Sequence, residues 1–286
     1  MLLYKTKGGG YPVKKNITEF SKQERSTITG LYQDGYDPRE IAEFLDMPYY
    51  EVIFILDRLN YNFELEKYIS YASIDDKQIL IISDTHIGSV YENEDYQKEA
   101  YQFAKDHGIK TILHGGDLIQ STYTNVKQQY ANEERQIEHL ICDYPYDEAI
   151  KNYILLGNHD FNTFIKENYL KMVMEHRDDF DIMSCKRAYL TWLGNLICLL
   201  HPAKRYQITI PNVDPLIYLK GHSHKLTYDK NNGLHIPTLS DDLFSNPHSR
   251  PGFLVGTIDG EDLYFESYTF KESLHNNGPV LTKKLK

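Results

Sequence analysis

The chain has 286 residues, of which 41% are hydrophobic and 25% charged, and its net charge is −10. That length suits one large domain, or one domain with a small appendage. The acidic balance argues against a broad basic surface for nucleic acid; the three cysteines (Cys142, Cys185, Cys198) form no CxxC pair, which argues against a zinc ribbon; and no apolar run approaches the ~20 residues that cross a bilayer.

Residues 1–15, with three glycines, a proline and scattered lysines, read as a loose tail. They lack the long apolar segment of a signal peptide, so a reducing, cytoplasmic location and no membrane association are expected. Residues 16–72 read as a small helical unit. Ser21 and Glu24 have capping-box spacing. Asp37-Pro38-Arg39-Glu40 supplies a cap and a first-turn proline, and Gly35 a stop before it. Ile41, Ala42 and Leu45 line one helix near 38–46, and Val52, Ile53, Leu56 and Leu59 line the next, near 48–60. This is a helix-turn-helix pattern. It fits either a nucleic-acid reader or an appendage packed on its neighbour. Between residues 16 and 67 there are 11 acidic side chains against five basic ones, and the would-be reading helix offers Tyr49, Tyr50, Glu51 and Asp57. Phosphate neutralisation normally carries the affinity, so the charge favours the appendage.

From Lys77 the texture changes. "KQILIIS", "KTILHGG" and "NYILLG" read as buried strands, separated by helical patterns over 94–107 and 131–142 and followed by another over 163–176. This alternation implies a parallel sheet with helices on its faces. After residue 180 the pattern is strand-rich, with Asn232-Gly233 and Asp259-Gly260 as hairpin turns. The last dozen residues read as mobile, so the expected division is a tail (1–15), a helical unit (16–72), a catalytic domain (77–270) and a second tail (271–286).

Five strand ends in succession deliver metal-capable side chains: Asp84 and His86 after the first, Asp117 after the second, then Asn158, His159 and Asp160, then His201, then His222 and His224. Carboxylate and imidazole together suit manganese, iron, zinc or a similar divalent ion. Two ions ~3.5–4 Å apart need a shared carboxylate, and Asp117, central in the series, is the natural one. The pairs Asp84-Thr85-His86 and His222-Ser223-His224 point both side chains one way only if the chain stays extended. His107, His114, His139, His176 and His235 lack a partner motif and read as surface or packed histidines.

The series D-x-H, G-D, G-N-H-D, a lone His and G-H-x-H closely resembles the calcineurin-like metallophosphoesterase family, over roughly residues 77–268. The resemblance implies a four-layer α/β/β/α sandwich with two mixed sheets, preceded here by the small all-α unit. It implies one divalent ion on Asp84, His86, Asp117 and His224, and a second on Asp117, Asn158, His201 and His222. Manganese is the expected metal, with iron, zinc, nickel or magnesium as alternatives. It further implies that His159 acts on the leaving oxygen, that Asp160 orients His159, and that two-metal-activated hydroxide hydrolyses a phosphoester. Two positions depart from the pattern: the second motif runs Gly116-Asp117-Leu118-Ile119-Gln120-Ser121, without the Asp-Arg-Gly of the family's protein phosphatases, and Leu200 precedes His201 where many members have Gly. Candidate substrate contacts are Tyr123, Asn125, Lys204, Arg205, Tyr206, His248 and Arg250. The leading expectation is a phosphodiesterase or nuclease acting on nucleic acid or nucleotides, on the strength of the helix-turn-helix pattern and the missing phosphatase signature. A phosphomonoesterase, favoured by the acidic surface, is the alternative. A non-catalytic regulatory module is the third reading, and the intact ligand set speaks against it.

Overall fold

The computed structural model describes residues 20–34, 36, 38–47, 51–52, 55–56, 59, 72–122, 128–130, 132–165, 169–185, 187–202, 215–229, 233–241, 250–270 and 273–285. It opens with helices α1 (Lys22–Gln33) and α2 (Pro38–Phe44). The capping box starts α1: Glu24 N–H donates to Ser21 Oγ at 3.0 Å, and Ser21 N–H to Glu24 Oε2 at 2.7 Å. Ile28, Ile41 and Ala42 are buried, as are Val52, Ile55 and Leu56 in the next helical stretch. All six belong to one apolar cluster with Leu80, Ile82 and Phe253 of the strands later in the chain. Most of the described apolar stripe of this unit is thus spent on core packing; Leu59, expected on that stripe, is exposed, and Ile53 lies outside the described residues. Tyr49, Tyr50 and Asp57 of the would-be reading helix lie outside the described residues.

Thirteen strands are described. β1 (Ser73–Ile74), β2 (Gln78–Ile82), β3 (Thr111–His114), β4 (Lys151–Leu156) and β5 (Phe180–Cys185) come first. β6 (Arg187–Trp192), β7 (Asn195–Leu200), β8 (Ile217–Lys220), β9 (Thr227–Asp229) and β10 (Gly233–His235) come next, then β11 (Gly252–Asp259), β12 (Asp262–Phe270) and β13 (Leu274–Lys284). They form a seven-stranded sheet in the order β13-β12-β11-β2-β3-β4-β5 and a six-stranded sheet in the order β1-β6-β7-β8-β10-β9. Both are mixed: β2 to β5 run parallel while β11 to β13 run antiparallel, and the second sheet combines parallel β7-β8-β10 with antiparallel β6-β7 and β10-β9.

Side-chain alternation builds two cores at once. Ile79 and Ile81 of β2 face the other sheet, where they meet Leu190, Trp192, Leu199 and Leu219. Leu80 and Ile82 face the opposite way, toward α3 (Glu94–Asp106), α4 (Glu133–Cys142), α5 (Asp160–Ile165) and α6 (Tyr169–His176). Central strands buried on both faces explain why their sequences are continuous apolar runs. The outer face of the six-stranded sheet carries a small cluster of Tyr189, Cys198, Leu200 and Tyr218, and no described helix contributes to it. No described helix is long and apolar enough to cross a membrane.

Two expectations need correction. The single helix over 163–176 is two helices, the first beginning at Asp160. The expected C-terminal tail is instead β13, paired antiparallel with β12. Its sequence lacks period-two hydrophobicity, and its register shifts around Glu266, which faces Pro279. It is held by that ladder and by Val280, Leu281 and Leu285 against the inter-sheet core.

One ion-pair cluster ties α4 to the loop after β2. His139 Nε2 lies 3.0 Å from Glu92 Oε1 and Nδ1 lies 2.7 Å from Asp143 Oδ2, while the other oxygen of Glu92 accepts Gly88 N–H at 2.7 Å. The hydrogen bond to Glu92 and the charges of Glu92 and Asp143 outweigh burial and push the His139 imidazole up to about 9. A raised folded value means the contribution to stability is complete below the unfolded value of ~6.5 and disappears as pH rises through about 9. His139→Gln is therefore expected to lower the melting temperature by about 2–4 °C at pH 6 and to match wild type at pH 10. An equal deficit at both pH values contradicts this assignment.

Candidate metal centre

Backbone hydrogen bonds continue past the strand ends and bring the motif loops side by side. Asp84 N–H donates to Gly116 O (2.9 Å), His86 N–H to Asp117 O (3.1 Å) and Gly221 N–H to Leu200 O (2.9 Å). The chain is not extended there. Asp84, His86, Asp117, His222 and His224 all have positive φ, at 55°, 47°, 53°, 71° and 58°. For residues with a Cβ this left-handed backbone costs about 1–2 kcal/mol each, and such strain concentrates at functional sites. The turns, not strand alternation, aim both side chains of each pair inward.

Among the described residues three groups of candidate ligand atoms result, each with its atoms within 4.8 Å of one another: Asp84 with His86 and His224, Asp117 with His201 and His222, and His86 with Asp117 and His159. Asp117 belongs to two of them. Its Oδ2 is 3.1 Å from His201 Nε2 and 3.9 Å from His159 Nε2, and its Oδ1 accepts His159 N–H at 2.9 Å. Asp84 Oδ1 is 3.3 Å from His224 Nε2 and 3.9 Å from His86 Nε2, and the carboxylate accepts His222 N–H. His201 Nδ1 donates to Gly115 O at 2.8 Å, which leaves Nε2 pointing into the cluster, the usual arrangement of a ligating imidazole.

The electrostatics arise from burial and from this crowding. Burial raises the Asp117 carboxyl and lowers the His201 imidazole, but their mutual attraction dominates: Asp117 ends well below the carboxylate range and His201 at about 10. Burial likewise pulls His86 down to about 3. Burial opposes ionisation of Asp84, yet His224 holds its carboxyl below the usual value. Buried anions beside nitrogen donors make a cation-attracting site. Asn158 Oδ1 and His86 Nδ1 are buried with no hydrogen-bond partner among the described residues. Buried polar atoms are normally satisfied, so an unsatisfied amide oxygen next in the chain to His159, whose N–H donates to Asp117, fits a divalent ion of the borderline type.

Glycines leave the space for this crowding. A Cβ on Gly157 would run into the Asp117 carboxylate and backbone nitrogen, and one on Gly116 into the His201 ring. Gly157→Ala is expected to cost about 1–3 kcal/mol by overpacking, and to lose metal uptake as Asp117 is pushed aside. A thermal melt with a metal titration checks this; an unshifted melt with normal uptake contradicts it.

Asp160 sits elsewhere than expected. Its carboxylate accepts Gly157 N–H (2.7 Å) and Ile119 N–H (2.8 Å), not the His159 ring. Burial and the nearby Asp117 charge raise it to about 7. The His159 ring is held instead by the chain after the second motif, with Nδ1 donating to Gln120 O at 2.8 Å. Asp160 therefore fixes loop backbones, and the imidazole takes its orientation from a carbonyl. Tyr123, Asn125, Lys204, Arg205, Tyr206 and His248 lie outside the described residues, and Arg250 is solvent-exposed. Sequence reasoning gives Gln120 no role and reads His114 as a surface or packed histidine. His114 is neutral, its imidazole pulled down to about 4 by burial. Its Nδ1 accepts Gly116 N–H, and its Nε2 meets the Thr85 hydroxyl at 3.2 Å, which in turn donates to Leu118 O. It is a packed histidine, and it also braces two ligand loops.

Comparison with solved structures finds loose likenesses. Vacuolar protein sorting 29 from Cryptosporidium parvum is 16% identical, covering 73% of this chain and 98% of its own, with a TM-score of 0.45. A dimetal phosphatase from Danio rerio is 10% identical, covering 70% and 98%, with a TM-score of 0.44. The nuclease MPE of Pseudomonas putida is 14% identical, covering 62% and 83%, with a TM-score of 0.33. These likenesses are too loose to bear on function. No curated protein matches the chain. The calcineurin-like phosphoesterase model matches residues 77–281, which include every strand-end residue of the candidate centre. The chain belongs to the calcineurin-like phosphoesterase family.

Proposed function

We propose that the chain hydrolyses phosphoesters with two divalent ions, one held by Asp84, His86, Asp117 and His224 and the other by Asp117, Asn158, His201 and His222. Manganese is the metal we assign. The observation that carries this reading is that Asp117 shares one ligand group with His201 and His222 and another with His86, which itself groups with Asp84 and His224. When bound, the ions supply Lewis-acid charge at the phosphoryl group and acidify water. The chain's own residues do the rest. His222 N–H and His159 N–H hold the carboxylates of Asp84 and Asp117 in place. His201 is oriented by Gly115 O. His159 Nδ1–H donates to Gln120 O, which turns Nε2 toward Asp117 Oδ2, 3.9 Å away; from there its protonated form would pass a proton to the leaving oxygen.

Within this reading the substrate is a phosphodiester of nucleic acid or a nucleotide. The second motif continues from Asp117 into Leu118 and Ile119, both buried, and Gln120 beside His159. No guanidinium stands in that loop to meet the dianion of a monoester. The competing phosphomonoesterase reading is favoured by the net charge of −10, which repels polyanions. Incubation with Mn2+ and either bis(p-nitrophenyl) phosphate or p-nitrophenyl phosphate separates them. Preference for the diester supports this substrate class, and preference for the monoester overturns it.

A further inference from the structure

The six-stranded sheet places a second set of polar residues beneath the Gly221-His222-Ser223-His224 turn. β8 and β9 are consecutive in the chain but are not neighbours, because β10 lies between them. β10 runs parallel to β8, with His235 opposite Lys220, and antiparallel to β9, with His235 opposite Thr227. The connection from β8 to β9 must therefore arch over the end of β10, where His235 sits. Its ring touches the one motif side chain that is not a candidate ligand: His235 Nδ1 is 3.0 Å from Ser223 Oγ. On the other side His235 Nε2 is 3.2 Å from Asp229 Oδ2. Asp229 is fixed in turn by Lys220 Nζ at 2.6 Å and by Gly233 N–H at 3.2 Å. A Cβ on Gly233 would lie 2.5 Å from Lys220 Nζ and 2.6 Å from Asp229 Oδ2, so glycine there keeps the space that this ion pair occupies.

The roles of the ring atoms are set by the partners. A carboxylate only accepts, so Nε2 carries the proton; the bare Nδ1 then accepts the Ser223 hydroxyl. Ser223 stands between two residues with left-handed backbone, His222 and His224, which belong to different ligand groups. Holding Ser223 fixes the pivot about which both imidazoles are aimed. The hydroxyl of Thr85, between Asp84 and His86, also meets a histidine, but there His114 Nε2 donates to it.

We infer that Ser223, His235 and Asp229 form a brace that positions His222 and His224 for metal binding, with His235 as its central positioning residue. The inference rests on the proposed two-ion site. Partners that orient metal ligands typically contribute 10–100-fold to affinity. The test is calorimetric titration of Mn2+ into the full chain carrying Ser223→Ala, His235→Leu, both, or Ser223→Thr, with the Mn2+ electron paramagnetic resonance spectrum recorded for each. Ser223→Ala removes one oxygen and leaves the sheet untouched, so it keeps the test independent of folding. Each single variant is expected to bind Mn2+ about 10–100-fold more weakly and to lose the spin-coupled signature of a close pair. The double variant is expected to be no weaker than the weaker single one, because both remove the same hydrogen bond. Ser223→Thr is expected to restore affinity. Unchanged binding in Ser223→Ala, or losses that add in the double variant, overturn the brace alone. A wild-type chain that takes up no Mn2+ overturns the two-ion reading, and the brace with it.

Discussion

Asp117→Asn is expected to lose phosphoester hydrolysis by more than about 10²-fold and to lose both ions. The floor on that figure comes from indirect partners of metal ligands, whose loss already costs about 10–100-fold; a carboxylate shared by two ligand groups sets a larger effect. The substitution is well suited to the site. Asparagine tolerates the left-handed backbone that Asp117 adopts, and its amide oxygen can still accept His159 N–H. What it cannot do is present an anion to His201, whose imidazole Asp117 holds at about 10. Metal content by mass spectrometry, read beside the rate, checks the prediction. A variant with two ions and a wild-type rate rules out the shared-ligand role.

His159→Gln is expected to behave differently, losing about 10²–10⁴-fold in rate while keeping both ions. The geometry makes this a real contest, since His159 also falls in a ligand group with His86 and Asp117. Its ring sits 4.9 Å from that of His86 and nearly perpendicular to it. If His159 is a ligand, the variant loses metal; if it moves a proton, the variant keeps metal and the deficit depends on the leaving group. The deficit should be larger for an alkyl ester than for a p-nitrophenyl ester, because p-nitrophenolate departs with little help from an acid. A metal-depleted variant, or a deficit independent of the leaving group, removes His159 from the acid role.

The strand ends are legible because central strands of a two-sided sheet are continuous apolar runs. "KQILIIS", "KTILHGG" and "NYILLG" cannot be read as anything solvent-facing, and the polar residues at the end of each run lie at the sheet's carboxyl edge. The capping box at Ser21 is legible for a similarly local reason. Other features depend on contacts distant in sequence. The polar β13 becomes a strand through β12, and its composition gives no hint of that pairing. The left-handed turns at Asp84 and His86 are not legible in the sequence, since nothing local marks a histidine for positive φ. Asp160 pairs by adjacency with His159, whereas its carboxylate reaches Ile119, 41 residues away in the chain. His235 carries no motif; its role comes from β10 lying between β8 and β9, an order that no linear pattern encodes.

The central claim is that Asp117 joins two cation sites, and anomalous diffraction from crystals of the full chain grown with Mn2+ tests it most directly. Two peaks are expected, ~3.5–4 Å apart, one against Asp84, His86 and His224 and the other against Asn158, His201 and His222, with the Asp117 carboxylate between them. A single peak, or peaks away from Asp117, contradicts the account.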